Sequence, residues 1–173
     1  QYYNEAIYCY YLEDYEGAMR AAKQALKLGS IKASYLLIEL YYDEDSPYRD
    51  VEKTISYAKQ LFEATKDPEL AFLLGIVYDQ QLKDYVKAVN WYENAERLGH
   101  KRVAFYLGRI YYYGLLRTKR DGGKALSYFK KARENGIQEA EGYIKDLEDL
   151  KGEDLQTAVE KWERAVEAGS ESA

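Results

Sequence analysis

Ala104-Phe-Tyr-Leu-Gly-Arg-Ile-Tyr-Tyr-Tyr-Gly114, followed after six residues by Asp121-Gly-Gly-Lys-Ala-Leu-Ser-Tyr-Phe-Lys-Lys-Ala-Arg-Glu-Asn-Gly136, is the stretch that decides the fold. Its first half places Ala104, Leu107, Gly108 and Tyr111 at offsets 0, 3, 4 and 7, which share one face of a helix turning about 100° per residue. Its second half runs from an aspartate to a glycine fifteen residues later, with Ala125, Phe129 and Ala132 spaced by four and three between them. The aspartate reads as an N-cap whose carboxylate accepts orphan amide hydrogens, and the glycine as a left-handed stop. Two amphipathic helices, A and then B, are written in succession.

The unit recurs. Asp14, Asp50, Asp84, Asp121 and Asp154 each precede a small residue by four positions (Ala18, Thr54, Ala88, Ala125, Ala158) and Gly29, Thr65, Gly99, Gly136 or Gly169 by fifteen. The B stripes are Ala18, Ala22 and Ala25; Thr54, Ala58 and Leu61; Ala88, Tyr92 and Ala95; Ala125, Phe129 and Ala132; and Ala158, Trp162 and Ala165. On helices A, Ala71, Leu74, Gly75 and Tyr78 match the quoted stretch, with Ala33, Leu36, Leu37 and Leu40, and Ala140, Tyr143, Ile144 and Leu147, as variants. Glycine inside a helix costs about 1 kcal/mol against alanine, so Gly75 and Gly108 predict a backbone contact too close for a side chain. Pro47 and Pro68 both stand at boundaries.

A fixed period of about 35 residues predicts an open stack of neighbours rather than a closed core. The expected fold is all-α, a right-handed αα superhelix of five helix pairs forming one repeat domain, with units 1–30, 31–66, 67–100, 101–136 and 137–170. Helices A are expected near 2–13, 31–43, 68–82, 101–114 and 138–150. Unit one places Gln1, Asn4 and Glu5 on its A stripe, and unit two has Thr65 where glycine is usual, so the ends repeat least strictly. A start at Gln1, inside a helix, predicts excision from a longer protein.

Composition narrows the function. Lys plus Arg number 25 against 30 Asp plus Glu, a net charge of -5 that argues against nucleic acid as partner. No apolar run approaches the roughly 18 residues that cross a bilayer, so direct membrane insertion is not expected. Cys9 is the single cysteine, which rules out an internal disulfide and a cysteine-rich metal site. Tyrosine is the outlier, at 20 of 173 residues. An aromatic ring with a polar tip suits a half-buried surface that meets a partner, and it is equally a packing residue of helical repeats.

The quoted fourth unit resembles a Sel1-like repeat, the tetratricopeptide relative with a longer inner loop. The third unit, Ala71-Phe-Leu-Leu-Gly-Ile-Val-Tyr78 with Asp84-Tyr-Val-Lys-Ala88, resembles the same family, its short loop being closer to the tetratricopeptide form. The resemblance implies an αα superhelix whose A helices line the concave face, and a role in holding protein partners together without catalysis or cofactor.

A second stripe on helices A, at offsets 1, 5, 8 and 9, should then face the groove. In unit four it comprises Phe105, Arg109, Tyr112 and Tyr113; in unit three Phe72, Ile76, Asp79 and Gln80; in unit two Ser34, Ile38, Tyr41 and Tyr42. Unit one adds Tyr2, Cys9 and Tyr10. We expect Tyr10, Tyr41, Tyr42, Phe105, Arg109, Tyr112 and Tyr113 to bind a partner protein or peptide, since tyrosine and arginine are typical interface anchors. Arg109 would take a carboxylate beside one or two apolar anchors. The competing reading is that these aromatics form only the seam between adjacent helices. Of the consecutive Tyr111, Tyr112 and Tyr113, at least one should reach the surface, because successive residues diverge by about 100°.

Two long A-to-B loops, Asp43-Glu-Asp-Ser-Pro-Tyr-Arg49 and Leu115-Leu-Arg-Thr-Lys-Arg120, are opposite in charge bias and form secondary binding candidates on one edge. His100 reads as a solvent-exposed turn residue, Cys9 as a small packing or groove residue, and the recurring aspartates as caps rather than catalysts. Gly122-Gly123 before Lys124 lacks the strand and full motif of a phosphate loop. An alternative function is carbohydrate or cell-wall recognition, with the tyrosines, Asp79, Gln80 and Arg109 as sugar platforms. A hydrolase embedded in the repeats would require a compact polar pocket.

Overall fold

The computed structural model describes residues 1–151 and 155–170. Ten α-helices and no strand occur among these residues: α1 (Tyr2–Tyr11), α2 (Tyr15–Lys27), α3 (Ile31–Tyr42), α4 (Val51–Thr65), α5 (Pro68–Ile76), α6 (Tyr85–Arg97), α7 (Val103–Tyr113), α8 (Gly122–Glu134), α9 (Ala140–Lys151) and α10 (Leu155–Ser170). Each helix packs chiefly on the one before and the one after it, which gives the helical repeat solenoid that the period predicts. The A helices end within two residues of their expected limits, except that α5 passes directly into a π-helical turn at Val77–Gln81.

Each B helix starts on its aspartate. The carboxylates of Asp14, Asp50, Asp84 and Asp121 accept the amides of Gly17, Lys53, Lys87 and Lys124 at 2.9–3.2 Å. A cap of this kind stabilises a helix by about 0.5–2 kcal/mol. The same aspartates donate their own N–H groups back to helix A, to the carbonyls of Cys9, Tyr41, Tyr78 and Tyr111 at 2.8–2.9 Å. These pairs are separated by five, nine, six and ten residues, so one bond closes A–B loops of very different length. Asp154 and the side chain of Ala158 lie outside the described residues.

Gly29, Gly99 and Gly136 take positive φ as the stops of α2, α6 and α8. Thr65 does not; α4 ends on Lys66 instead, in the left-handed region with φ 53°. Gly169 is no stop, since it lies inside α10, where its missing side chain lets the Tyr113 ring approach.

The stripes of units two to four are buried as spaced, and the mid-helix glycines lie under aromatic rings rather than against backbone. A Cβ on Gly75 would stand 2.4 Å from the Tyr92 ring, and one on Gly108 2.7 Å from Phe129. Both rings are fully buried. At the matching positions of the second unit the sizes are exchanged, with Leu37 on α3 and Ala58 on α4, both fully buried. In α1 the inner face is Tyr3, Ala6, Ile7 and Tyr10, two residues later than expected, and Gln1, Asn4 and Glu5 are exposed. The register follows Ala6, the small residue that permits contact with α2.

Much of the tyrosine content is accounted for by stitching. Tyr10 donates to Asp43 at 2.9 Å, Tyr35 to Asp67 at 2.6 Å, Tyr92 to Asp79 at 3.3 Å and Tyr111 to Glu93 at 2.8 Å. Burial raises the Tyr10 and Tyr111 phenols above their ordinary range, and their carboxylate partners add to it. Burial, then the Glu93 charge, pushes Tyr128 up to about 12.

Replacing Gly108 with alanine should lower stability by about 1–3 kcal/mol, because overpacking outweighs the gain in helix propensity. Urea unfolding would measure this, and adding Phe129→Leu should recover part of the loss; an alanine variant as stable as wild type would contradict the ring-on-glycine contact. A second expectation concerns alkali. Unfolded phenols ionise near pH 10 while the buried ones hold their protons to about 12 or beyond, so the stabilisation is complete below pH 10 and falls as pH rises above it. Phenolate absorbance should therefore show an early set of tyrosines and a late set released together with the helical circular dichroism. One transition for all tyrosines near pH 10, with helix intact, would refute the assignment.

Candidate functional site

The seven expected contact residues divide on burial. Tyr112 is 2% exposed, its ring held among Tyr143, Phe129 and Trp162 at 5.2–6.3 Å. Tyr41 is 5% exposed and lies 5.5 Å from the Tyr57 ring. Both are corrected from groove to core: offset 8 borders the inner stripe, and an aromatic of a neighbouring helix covers it. Phe105 is half-buried against Phe129 and Tyr143, at 5.8 and 5.9 Å, and so belongs to the seam. Phe72 behaves likewise, 6.4 Å from Tyr106 across α5 and α7. Tyr10 stands on the inner face of α1 with its hydroxyl bound to Asp43. Tyr42, Arg109 and Tyr113 retain partial exposure, Tyr42 on α3 and the other two together on α7. Among the three consecutive tyrosines it is Tyr113 that reaches the surface.

Arg109 and Tyr113 line a recess of about 270 Å³ completed by Leu115, Arg120, Val166, Glu167 and Gly169. The Arg109 guanidinium lies 5.8 Å above the Tyr113 ring, and that of Arg120 5.6 Å above Trp162. The Arg109 Nε is buried without a hydrogen-bond partner, and a buried donor in that state is costly unless an acceptor arrives. Tyr113 shares its hydroxyl with Tyr143 at 3.3 Å, and burial followed by that bond pushes it up to about 12.

The inner face of α10 is Trp162, Val166 and Gly169, and Ala165, expected on it, is exposed. Because Trp162 belongs to either stripe, spacing alone could not choose; Val166, buried to 3% exposure, was the available signal. This rotation turns α10 onto the end of α7 and brings Arg120, Val166 and Gly169 to the recess, residues that pattern reading did not assign to it.

His100 is not an exposed turn residue but 6% exposed. Gly99, at φ 87°, reverses the chain inward, and the imidazole lies 4.4 Å from Phe72. Its Nδ1 accepts the Val103 amide at 3.1 Å and caps α7, which leaves Nε2 as the protonated nitrogen, 3.3 Å from a Glu69 carboxylate oxygen. Cys9 packs beside Gly17, and burial, then Asp14, raises its thiol above the ordinary value. Asp79 is 9% exposed and occupied by Tyr92. Among the described residues no group of three or more His, Cys, Asp or Glu side chains is placed to hold a metal ion, and no helix is long and apolar enough to cross a membrane.

Comparison with known proteins agrees with this architecture. The Sel1 repeat family matches residues 68–100 and 102–137. The ERAD-associated E3 ubiquitin-protein ligase component HRD3 of Candida glabrata is 31% identical over 100 residues, which make up 56% of this chain and 12% of that protein. Two consecutive Sel1 repeats are thus matched where glycine and aromatic ring interlock most tightly, and helix pairs of the same kind continue on either side of them.

Proposed function

We propose that the chain is a non-catalytic interaction module that holds a partner protein or peptide on the face formed by its A helices, with the Arg109–Tyr113 recess as the anchor point. Sel1 repeats are protein-interaction units, and the relative described above is one component of a ligase. The observation that carries the reading to this place is the Arg109 Nε, buried without an acceptor beside a recess with the volume of a side chain. No ion pair to Arg109 occurs among the described residues.

A partner carboxylate would satisfy that donor, and an apolar neighbour would rest on Leu115 and Val166. Charge-assisted pairing of this kind is roughly twice as strong as a neutral hydrogen bond. Tyr42, half-exposed on α3, extends the same role toward the second unit. The buried Tyr41 and Tyr112 serve by holding the helices in place rather than by touching the partner. Of the aromatic rings on α7, Phe105, Tyr111 and Tyr112 are engaged by other rings, and Asp79 by Tyr92, so no observation favours the carbohydrate alternative.

Peptide display against the purified protein should enrich sequences with a carboxylate next to an apolar residue. Binding of a selected peptide, followed by calorimetry, should weaken by about tenfold or more in Arg109→Ala and in Tyr113→Ala, the scale of an interface anchor. Tyr112→Ala should instead lower the unfolding midpoint. Peptides without carboxylates, or bound equally by the Arg109→Ala and Tyr113→Ala variants, would defeat the proposal.

A further inference from the structure

A larger recess lies away from the Arg109 site, where the A–B loop of the third unit meets that of the fourth. It encloses about 560 Å³ between Leu82–Asn90 and Leu116–Thr118. Its apolar lining includes Leu82 and Val86, exposed by 48% and 74%, with Val89 and Leu116. Apolar side chains gathered at one place on a surface mark contact sites more often than the same residues scattered singly.

The charge around this recess runs against that of the molecule. Residues 82–90 and 116–119 hold Lys83, Lys87, Arg117 and Lys119 against a single acid, Asp84, in a chain of net charge -5. Asp84 is already committed, since it caps α6 through the Lys87 amide and pairs with the Lys87 ammonium at 2.7 Å. Among the described residues Lys83, Arg117 and Lys119 have no ion-pair partner. The Arg117 guanidinium lies 5.5 Å over the Tyr85 ring, a contact that ties the two loops together across the recess.

Left-handed backbone occurs in both loops, at Lys83 as at Glu13 and Lys66, the residues before the caps Asp14 and Asp67. Lys83, Leu116 and Arg117 have φ of 54°, 51° and 56°, left-handed values that side chains other than glycine and asparagine seldom take. Two of them are consecutive, the central pair of a turn closed by the Thr118 amide and hydroxyl on the Leu115 carbonyl at 2.9 and 2.7 Å, and this turn presents Leu116 and Arg117 to the recess.

We propose that this inter-loop recess is a second binding site, separate from the Arg109 recess, for a protein segment in which acidic residues alternate with apolar ones. Apolar side chains of the segment enter over Val86 and Leu116, while its carboxylates meet Lys83, Arg117 and Lys119 at the rim. A concave floor with cations on its rim suits an extended or helical peptide better than a flat lipid surface. Single-stranded nucleic acid would need free aromatic faces, and Tyr85, the ring at this rim, is covered by Arg117.

The test is fluorescence anisotropy with a labelled peptide of alternating glutamate and leucine. Wild type should bind it in a salt-sensitive manner, and a peptide of glutamate and glycine should bind several-fold more weakly. In an Arg109→Ala background, which removes the first recess from the measurement, the paired reversal Lys83→Glu with Arg117→Glu should weaken the glutamate–leucine peptide by about tenfold or more, as should Val86→Asp at its exposed position. Circular dichroism should show each variant to be as helical as wild type. Equal affinity in Arg109→Ala and in the paired reversal and Val86→Asp made on it would overturn the site. So would absence of peptide binding to wild type, or tighter charge-dependent binding to phosphatidylserine vesicles or an oligothymidylate.

Discussion

Every described A–B junction depends on an aspartate that bonds in two directions. Its carboxylate takes an amide of the helix it starts, and its own amide returns to a carbonyl of the helix before it. Buried or half-buried backbone groups at a helix end must find partners, and here one residue satisfies groups on both helices. The closing bond forms whether five residues or ten intervene, because only the ends of the loop need to meet. Loop-closure entropy grows slowly with length, so the longer connections cost little more than the short ones.

With the junction fixed, packing is set by an exchange of volume between paired helices. Gly75 and Gly108 yield the space that Tyr92 and Phe129 fill. Their rings in turn contact Phe72, Tyr106, Phe105 and Tyr143, so the seam between units is aromatic throughout this region. Tyrosine is suited to such a seam, since its body packs in the interior and its hydroxyl reaches a carboxylate at the margin. The abundance of tyrosine thus reports mainly on how the units adhere, and of the expected tyrosines Tyr10, Tyr42 and Tyr113 remain partly exposed, Tyr10 with its hydroxyl bound to Asp43.

The repeat was legible because caps, stops and stripes are local: each is decided by residues within about one helix. Asp14, Asp50, Asp84 and Asp121, the buried stripes and the position of each helix follow from that locality. His100 did not, because its burial comes from Phe72 and Glu69 in an earlier helix while its own neighbours read as a turn. The inner face of α10 was ambiguous for a different reason, Trp162 being common to two stripes. Tyr41 and Tyr112 lie at the angular border between core and groove, where the arrival of Tyr57 or Trp162 decides exposure and the spacing of one helix cannot. Of the candidate site, Arg109 and Tyr113 could be read from their own helix, whereas Arg120, Val166 and Gly169 required the course of a helix more than forty residues away.

The two-way aspartate bond also separates inheritance of shape from inheritance of specificity. A loop whose ends are clamped can gain, lose or exchange residues without altering the angle at which the next helix leaves, and errors do not accumulate along the stack. The edge formed by these loops is accordingly the part of the molecule most free to diverge between otherwise superimposable copies of the repeat. Leu116 and Arg117, held in left-handed backbone at the tip of the longest such connection, occupy the place where that freedom is greatest.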